Sequence, residues 1–199
     1  MQLVLDWDGT CTEVDALHLV LERFGDRGIY ERVERELLAG EISYRELMET
    51  EFSTVRVPLD EVNAFLALEV RLRSGFRALA ERYRPLILSG GFHELIEPVL
   101  AREGVALEVR ANRLDVRPGG WRIRWRDDAT CPECGDYCKR RGVPGGDDVV
   151  FVGDGYSDRC AALAADRVFA RDGLATYMAE RGAVYEMFDS LDDVVHALS

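Results

Sequence analysis

The sequence predicts an α/β protein: a mostly parallel sheet layered between helices, with a small helical unit inserted after the first strand. Two observations predict it. Short apolar runs bounded by glycine and polar turns alternate with stretches of helical periodicity, the pattern of a sheet covered on both faces. Between the first such run and the next, residues from about Val14 to Val70 show helical spacing and no strand alternation. A length of 199 residues suits one domain carrying such an insertion.

The first strand is Leu3-Val4-Leu5, running into Asp6-Trp7-Asp8-Gly9-Thr10. Leu17, Val20, Leu21 and Phe24 then recur at helical spacing, as do Tyr30, Val33, Leu37 and Leu38. Ser43-Tyr44-Arg45-Glu46 reads as a capping box opening a third helix. A fourth is expected from Leu59 to Leu68, after Pro58. The core is therefore expected to comprise residues 1–13 and 71–199, and the helical insertion residues 14–70.

A helix is expected over Gly75 to Tyr83, then a strand Pro85-Leu86-Ile87-Leu88 ending in Ser89-Gly90-Gly91. Phe92 to Glu103 reads as a helix and Val105 to Ala111 as a strand. Alternation around Pro118-Gly119-Gly120 predicts a hairpin over 113–126, with Trp121, Ile123 and Trp125 on one face. Asp136 to Arg141 reads as a short helix. Asp148 to Val152 is another buried strand, ending in Gly153-Asp154-Gly155-Tyr156-Ser157-Asp158. A helix to Ala165, a strand Arg167 to Ala170, and helices near 175–181 and 191–198 complete the chain.

Composition narrows the function. The net charge of -12 disfavours nucleic acid, whose phosphates want a cationic surface. It leaves room for a small anionic substrate, because a bound cation inverts the local sign. No apolar run reaches the length of a membrane span, and no signal peptide is visible. Five cysteines, Cys11, Cys131, Cys134, Cys138 and Cys160, suit a reduced cytoplasm. Of the 25 basic residues only Lys139 is lysine, which marks a position wanting a compact point charge rather than a planar fork.

Three strands end in polar, glycine-rich turns, and neighbouring strand ends of a parallel sheet meet at one crevice. Asp6 and Asp8 are paired carboxylates that need a cation or a shared proton. A hard divalent ion such as Mg2+ fits oxygen ligands and phosphate substrates. Ser89 offers a hydroxyl, and Gly90 and Gly91 offer backbone amides at a helix start, an anion site. Asp154 and Asp158 add two carboxylates, and Lys139 lies just before their strand.

In order, Asp6-Trp7-Asp8-Gly9-Thr10, Ser89-Gly90-Gly91, Lys139 and Gly153-Asp154-Gly155-Tyr156-Ser157-Asp158 resemble the four motifs of the haloacid dehalogenase superfamily. The resemblance spans nearly the whole chain. It implies a Rossmann-like three-layer core, a Mg2+ ion and a phosphoaspartyl intermediate. The insertion directly after the first motif resembles the phosphoserine phosphatase branch, and it reads as a cap that closes on substrate. Carried across, Asp6 is the nucleophile and Asp8 the general acid and base. Mg2+ is expected on the Asp6 carboxylate, the Asp8 backbone carbonyl and Asp154, with Asp158 close behind. Gly9, Thr10, Ser89, Gly90, Gly91 and Lys139 are expected at the phosphoryl group. For Thr10 the alternative is that it only fixes the loop.

Within that branch, Cys131-Pro132-Glu133-Cys134-Gly135-Asp136-Tyr137-Cys138-Lys139 and Val168-Phe169-Ala170-Arg171-Asp172 resemble the phosphatases of methionine salvage that act on 2-hydroxy-3-keto-5-methylthiopentenyl-1-phosphate. Phosphoethanolamine/phosphocholine phosphatases share the cysteine-before-lysine feature. Asp15 matches the acidic cap-side residue of phosphoserine phosphatases. Their substrate-gripping arginine is matched here by Glu51, which would repel a carboxylate; Arg45 or Arg56 are the available substitutes. The expected substrate is thus a small phosphorylated metabolite. A phosphotransferase or phosphomutase is the non-hydrolase alternative. His18 and His93 are expected to be structural, with His93 the nearer to the site. Cys131, Cys134 and Cys138 have zinc-like spacing, but no histidine or fourth cysteine lies nearby in the sequence. Free thiols are expected, with zinc and a Cys131–Cys134 disulfide as alternatives. Cys11 and Cys160 read as small buried fillers.

Overall fold

The computed structural model describes residues 1–199. Seven strands form one sheet: β1 (Gln2–Leu5), β2 (Leu86–Phe92), β3 (Val109–Asp115), β4 (Arg122–Arg124), β5 (Val149–Gly153), β6 (Arg167–Ala170) and β7 (Glu186–Met187). Their order is β4-β3-β2-β1-β5-β6-β7. All pairings are parallel except β3 with β4. The helices are α1 (Ala16–Phe24), α2 (Arg27–Leu38), α3 (Tyr44–Phe52), α4 (Leu59–Glu69), α5 (Phe76–Tyr83), α6 (His93–Arg102), α7 (Arg159–Ala162), α8 (Asp172–Glu180) and α9 (Leu191–Ala197). None is long and apolar enough to cross a membrane.

The order places β1 between β2 and β5, so the three polar strand ends are neighbours. β1 and β5 are fully or nearly fully buried on both faces, which is why each reads as an unbroken apolar run. One core lies on the side of Leu3, Leu5 and Ile87 and continues into α1–α4; a second gathers around Val4, Leu88 and Phe151 on the other face. Helices α1–α4 therefore share a core with the sheet. Their two connections run side by side: the Glu13 amide donates to the Arg71 carbonyl (3.0 Å), and the Arg73 amide to that of Cys11 (2.8 Å).

Sequence periodicity placed α1–α6 within a few residues, and Ser43 and Glu46 form the expected capping box. Three expectations need correction. β2 continues through Ser89-Gly90-Gly91 to Phe92, with a register shift against β3 between Leu88 and Phe92. Glycines without side chains let the strand slip register rather than end. The strand expected at Val105 begins at Val109 and runs to Asp115, so the hairpin's first arm is the strand itself, with Arg113 opposite Arg124. After the 3-10 turn Tyr156–Asp158, α7 spans only Arg159–Ala162, shorter than the helix expected to Ala165.

Candidate active site

The turn after β1 carries Asp6 and Asp8. Gly9 takes φ +77°, and a side chain there would strike the Asp154 carboxylate. The turn is held from outside by Arg73, whose guanidinium donates to the carbonyls of Gly9 (2.7 Å), Thr10 (2.9 Å) and Thr12 (3.1 Å). The sequence offered no sign of this clamp. Thr10 is fully buried and donates to Asp154 (2.6 Å). Gly9 and Thr10 do not line the cavity, and the bond to Asp154 gives the Thr10 hydroxyl the loop-fixing role named as its alternative.

Lys139 begins a 3-10 turn (Lys139–Gly142) and is 1% exposed despite its charge. Its ammonium bonds the Asp6 carboxylate and donates to Asp158 (2.7 Å). Burial works against that charge, but Asp158 and Asp6 outweigh it and hold the ammonium protonated far above the usual lysine range. Asp158 is 0% exposed; its other oxygen accepts the amides of Asp154 and Gly155 (both 3.0 Å). Both oxygens of Asp158 are thus engaged, in fixing Lys139 and the Asp154 turn.

Asp6, Asp154 and Asp158 bring carboxylate oxygens within 4.8 Å of one another. Burial raises Asp6, Asp158 and Asp154 raise it further, and Lys139 opposes them. Burial and Asp158 push Asp154 up to about 6. This cluster of hard oxygen donors has one buried ammonium to balance it, a shortage of positive charge that fits a divalent cation such as Mg2+. Asp8 accepts the Ala16 amide (3.1 Å) at the start of α1, and burial followed by Asp15 raises it well above the usual carboxylate range.

The glycines at the end of β2 are needed for close approach. A side chain on Gly91 would crowd Asp8 and Ser89, and one on Gly90 the Tyr44 hydroxyl of α3. The Gly91 amide donates to Ser89 Oγ (2.8 Å) within the motif. Ser89 Oγ accepts that bond, and the residue lines the cavity.

Asp6, Asp8, Ser89 and Lys139 form the floor of a cavity of about 200 Å3 whose roof is α1–α3. Leu17, Leu21, Leu47 and Met48 supply an apolar wall. Asp15, Glu34 and Glu51 add carboxylates, and no arginine lines the space. Asp15 also caps α1, accepting the His18 amide (2.9 Å). Glu51 is 2% exposed with Oε1 unpartnered, and burial followed by Glu34 and Asp15 pushes it up to about 8. Neither substitute arginine arrives. Arg45 stacks on Trp125 (4.7 Å) and Tyr137 (5.8 Å), and Arg56 is exposed outside the cavity. The histidines also differ from expectation: His18 lines the cavity, bonded to the Tyr30 hydroxyl (2.8 Å), while His93 pairs with Glu97 (2.7 Å) outside it. Cys160, expected as a filler, lies beside Cys131, Cys134 and Cys138.

A mostly parallel sheet brings Asp6, Ser89 and Asp154 together at three adjoining strand ends, beside the buried Lys139. The haloacid dehalogenase-like hydrolase family model matches residues 3–163, and the chain belongs to that family as one of its phosphatases. It is 29% identical to a 2-hydroxy-3-keto-5-methylthiopentenyl-1-phosphate phosphatase of Bacillus cereus, covering 98% of this chain and 94% of that one. The enzyme of that name from Bacillus mycoides is 27% identical, covering 100% and 95%. Among solved structures, a phospho-aspartyl intermediate analogue of phosphoserine phosphatase superposes with TM-score 0.74 at 16% identity, covering 98% and 97%. Phosphoserine phosphatase from T. onnurineus gives 0.70 at 21%, covering 98% and 92%. At those identities the structures support the shared fold.

Proposed function

We propose that the chain hydrolyses a small phosphomonoester in two steps, with Asp6 as the phosphoryl acceptor and Mg2+ at its side. The observation that carries this reading is Lys139, buried and bonded to both Asp6 and Asp158. A lysine brought into the sheet's crevice beside a carboxylate suits a site that must tolerate the charge of an arriving phosphoryl group. The Asp6 carboxylate, the Asp8 carbonyl and Asp154 would hold the ion. Bound there, Mg2+ would neutralise phosphoryl oxygens and keep the phosphorus in line with its nucleophile. Asp158 fixes Lys139 and the Asp154 turn from behind.

In the first step an Asp6 oxygen bonds phosphorus while the bond to the leaving oxygen breaks. Asp8, whose pKa is raised by burial and by Asp15, gives a proton to the leaving oxygen. In the second step Asp8 takes a proton from water, whose oxygen bonds phosphorus, and Asp6 is released. Ser89 and Lys139 hold the phosphoryl oxygens through both steps. Helices α1–α4 act as the cap that keeps bulk water from the site.

The cavity walls favour one kind of leaving group. The leucines and Met48 suit an apolar tail, and Glu51, Glu34 and Asp15 suit hydroxyl or amine donors. A substrate carboxylate would meet Glu51 without a cation, which argues against phosphoserine. A hydroxylated phosphate with a methylthio tail, the substrate named for the Bacillus relatives, matches both walls. Assay of a panel of phosphomonoesters with Mg2+ and with EDTA tests the reading. It predicts Mg2+-dependent turnover with neutral, apolar-tailed substrates ahead of phosphoserine. Undiminished turnover in EDTA, or phosphoserine as the preferred substrate, would overturn the corresponding part.

A further inference from the structure

We infer that Cys131, Cys134, Cys138 and Cys160 form a tetrathiolate site for one zinc ion, which clamps the Lys139 segment onto the core. All four cysteines are free, and their sulfurs lie within 4.8 Å of one another. Thiolates 2.3 Å from a tetrahedral zinc stand about 3.8 Å apart, so the side chains are within a small rotation of ligating it. Three of the cysteines share the zinc-like spacing noted in the sequence. The fourth ligand, absent from that neighbourhood of the sequence, is delivered by α7.

The local backbone is built for ligation. Cys131 to Gly135 makes a tight turn: the Gly135 amide donates to the Cys131 carbonyl (2.8 Å), and Gly135 takes φ +72°. The Cys131 amide closes the loop on the Asp136 carbonyl (2.8 Å). Cys131 and Cys160 are buried, Cys138 is half-buried and Cys134 is exposed, so the cluster is open to solvent on the Cys134 side. Burial raises the Cys138 and Cys160 thiols, as it does for sulfurs without a cation. On binding, the thiol protons pass to solvent and the sulfur lone pairs to zinc.

The site has a structural task. From Asp127 to Asp148 the regular structure is the one turn at Lys139–Gly142. Cys138 immediately precedes Lys139, and Cys160 lies two residues beyond Asp158, which Lys139 bonds. A bound ion would therefore fix both ends of that ion pair. Asp136, inside the same loop, accepts the Tyr44 amide (2.5 Å) at the start of α3, so the clamp also reaches the cap.

The test is the metal content of protein purified without chelator. We expect about one zinc per chain that survives a brief EDTA wash, which strips an oxygen-ligand site, and leaves on titration with p-hydroxymercuribenzoate. Cys134→Ser, at the exposed position, should lower zinc content about fivefold or more. Wild-type protein refilled with Co2+ should show sulfur-to-cobalt charge-transfer absorption, which decides the matter even if the serine variant misfolds. Zinc-free protein with four freely titrating thiols, a disulfide among these cysteines in a peptide map, or Co2+ protein without the sulfur band would overturn the inference.

Discussion

The Lys139 ammonium is bonded to the Asp6 carboxylate inside the sheet's crevice, where Lys139 is 1% exposed. Asp158 holds the same ammonium from the other side at 2.7 Å. The ammonium is thus held between two carboxylates as a compact point charge, a geometry that a planar guanidinium does not reproduce.

Lys139→Arg is accordingly expected to be nearly as damaging as Lys139→Ala. A guanidinium is wider than an ammonium and seeks a bidentate partner. Each variant should lose roughly 10²–10³-fold in kcat, the scale of removing one oxyanion donor. Kinetics on p-nitrophenyl phosphate at saturating Mg2+, with circular dichroism to check folding, measure it. Near wild-type turnover by Lys139→Arg would contradict the placement of Lys139 at the phosphoryl group.

Glu51 makes stability depend on pH. Burial raises its pKa from an ordinary 4.5 to about 8, so folding takes up a proton between those values. Stability contributed through this group falls as pH rises across that window, and the whole cost is present above about pH 8. Glu51→Gln keeps the shape and removes the titration. The stability of the variant relative to wild type should rise by on the order of 2–4 kcal/mol between pH 5 and pH 8.5. Urea unfolding at several pH values reads it; a difference that stays constant with pH would contradict the burial of a titrating Glu51.

Much of this site was legible in the chain because its parts are local. Asp6, Asp8, Ser89 and Asp154 follow apolar runs, and a buried strand's polar exit is a pattern of a few residues. Lys139 stood out as the lone lysine, a signal of composition rather than of position. Glu51 was reached only through the family resemblance, and His18 and Tyr30 come from two separate helices whose rotation about one another nothing local states. β7 spans two residues and carries no periodicity to find. Cys160 could not be joined to the other cysteines because the link is the β5 crossover, a property of sheet order. Arg73 reads as an ordinary surface arginine until the chain returns from α4 beside the first turn.

The start of α3 is tied twice, by the Ser43–Glu46 capping box and by Asp136 from the core. Ser43→Ala should cost about 1 kcal/mol of stability with little effect on KM, because it leaves the tether to the core intact. Asp136→Ala should cost a similar amount and raise KM, because it frees α3 and with it Tyr44 over Gly90. Thermal unfolding and steady-state kinetics on both variants separate the two effects. Equal KM values would show that the tether does not position the cap.

The central claim is that Asp6 accepts the phosphoryl group, and Asp6→Asn tests it most directly. The amide matches the carboxylate in shape but cannot form the acyl phosphate. The account predicts that kcat for p-nitrophenyl phosphate with Mg2+ falls by roughly 10⁴-fold or more while circular dichroism is unchanged, the scale at which enzymes lose a covalent nucleophile. A folded Asp6→Asn protein that retains a tenth or so of wild-type kcat would contradict it.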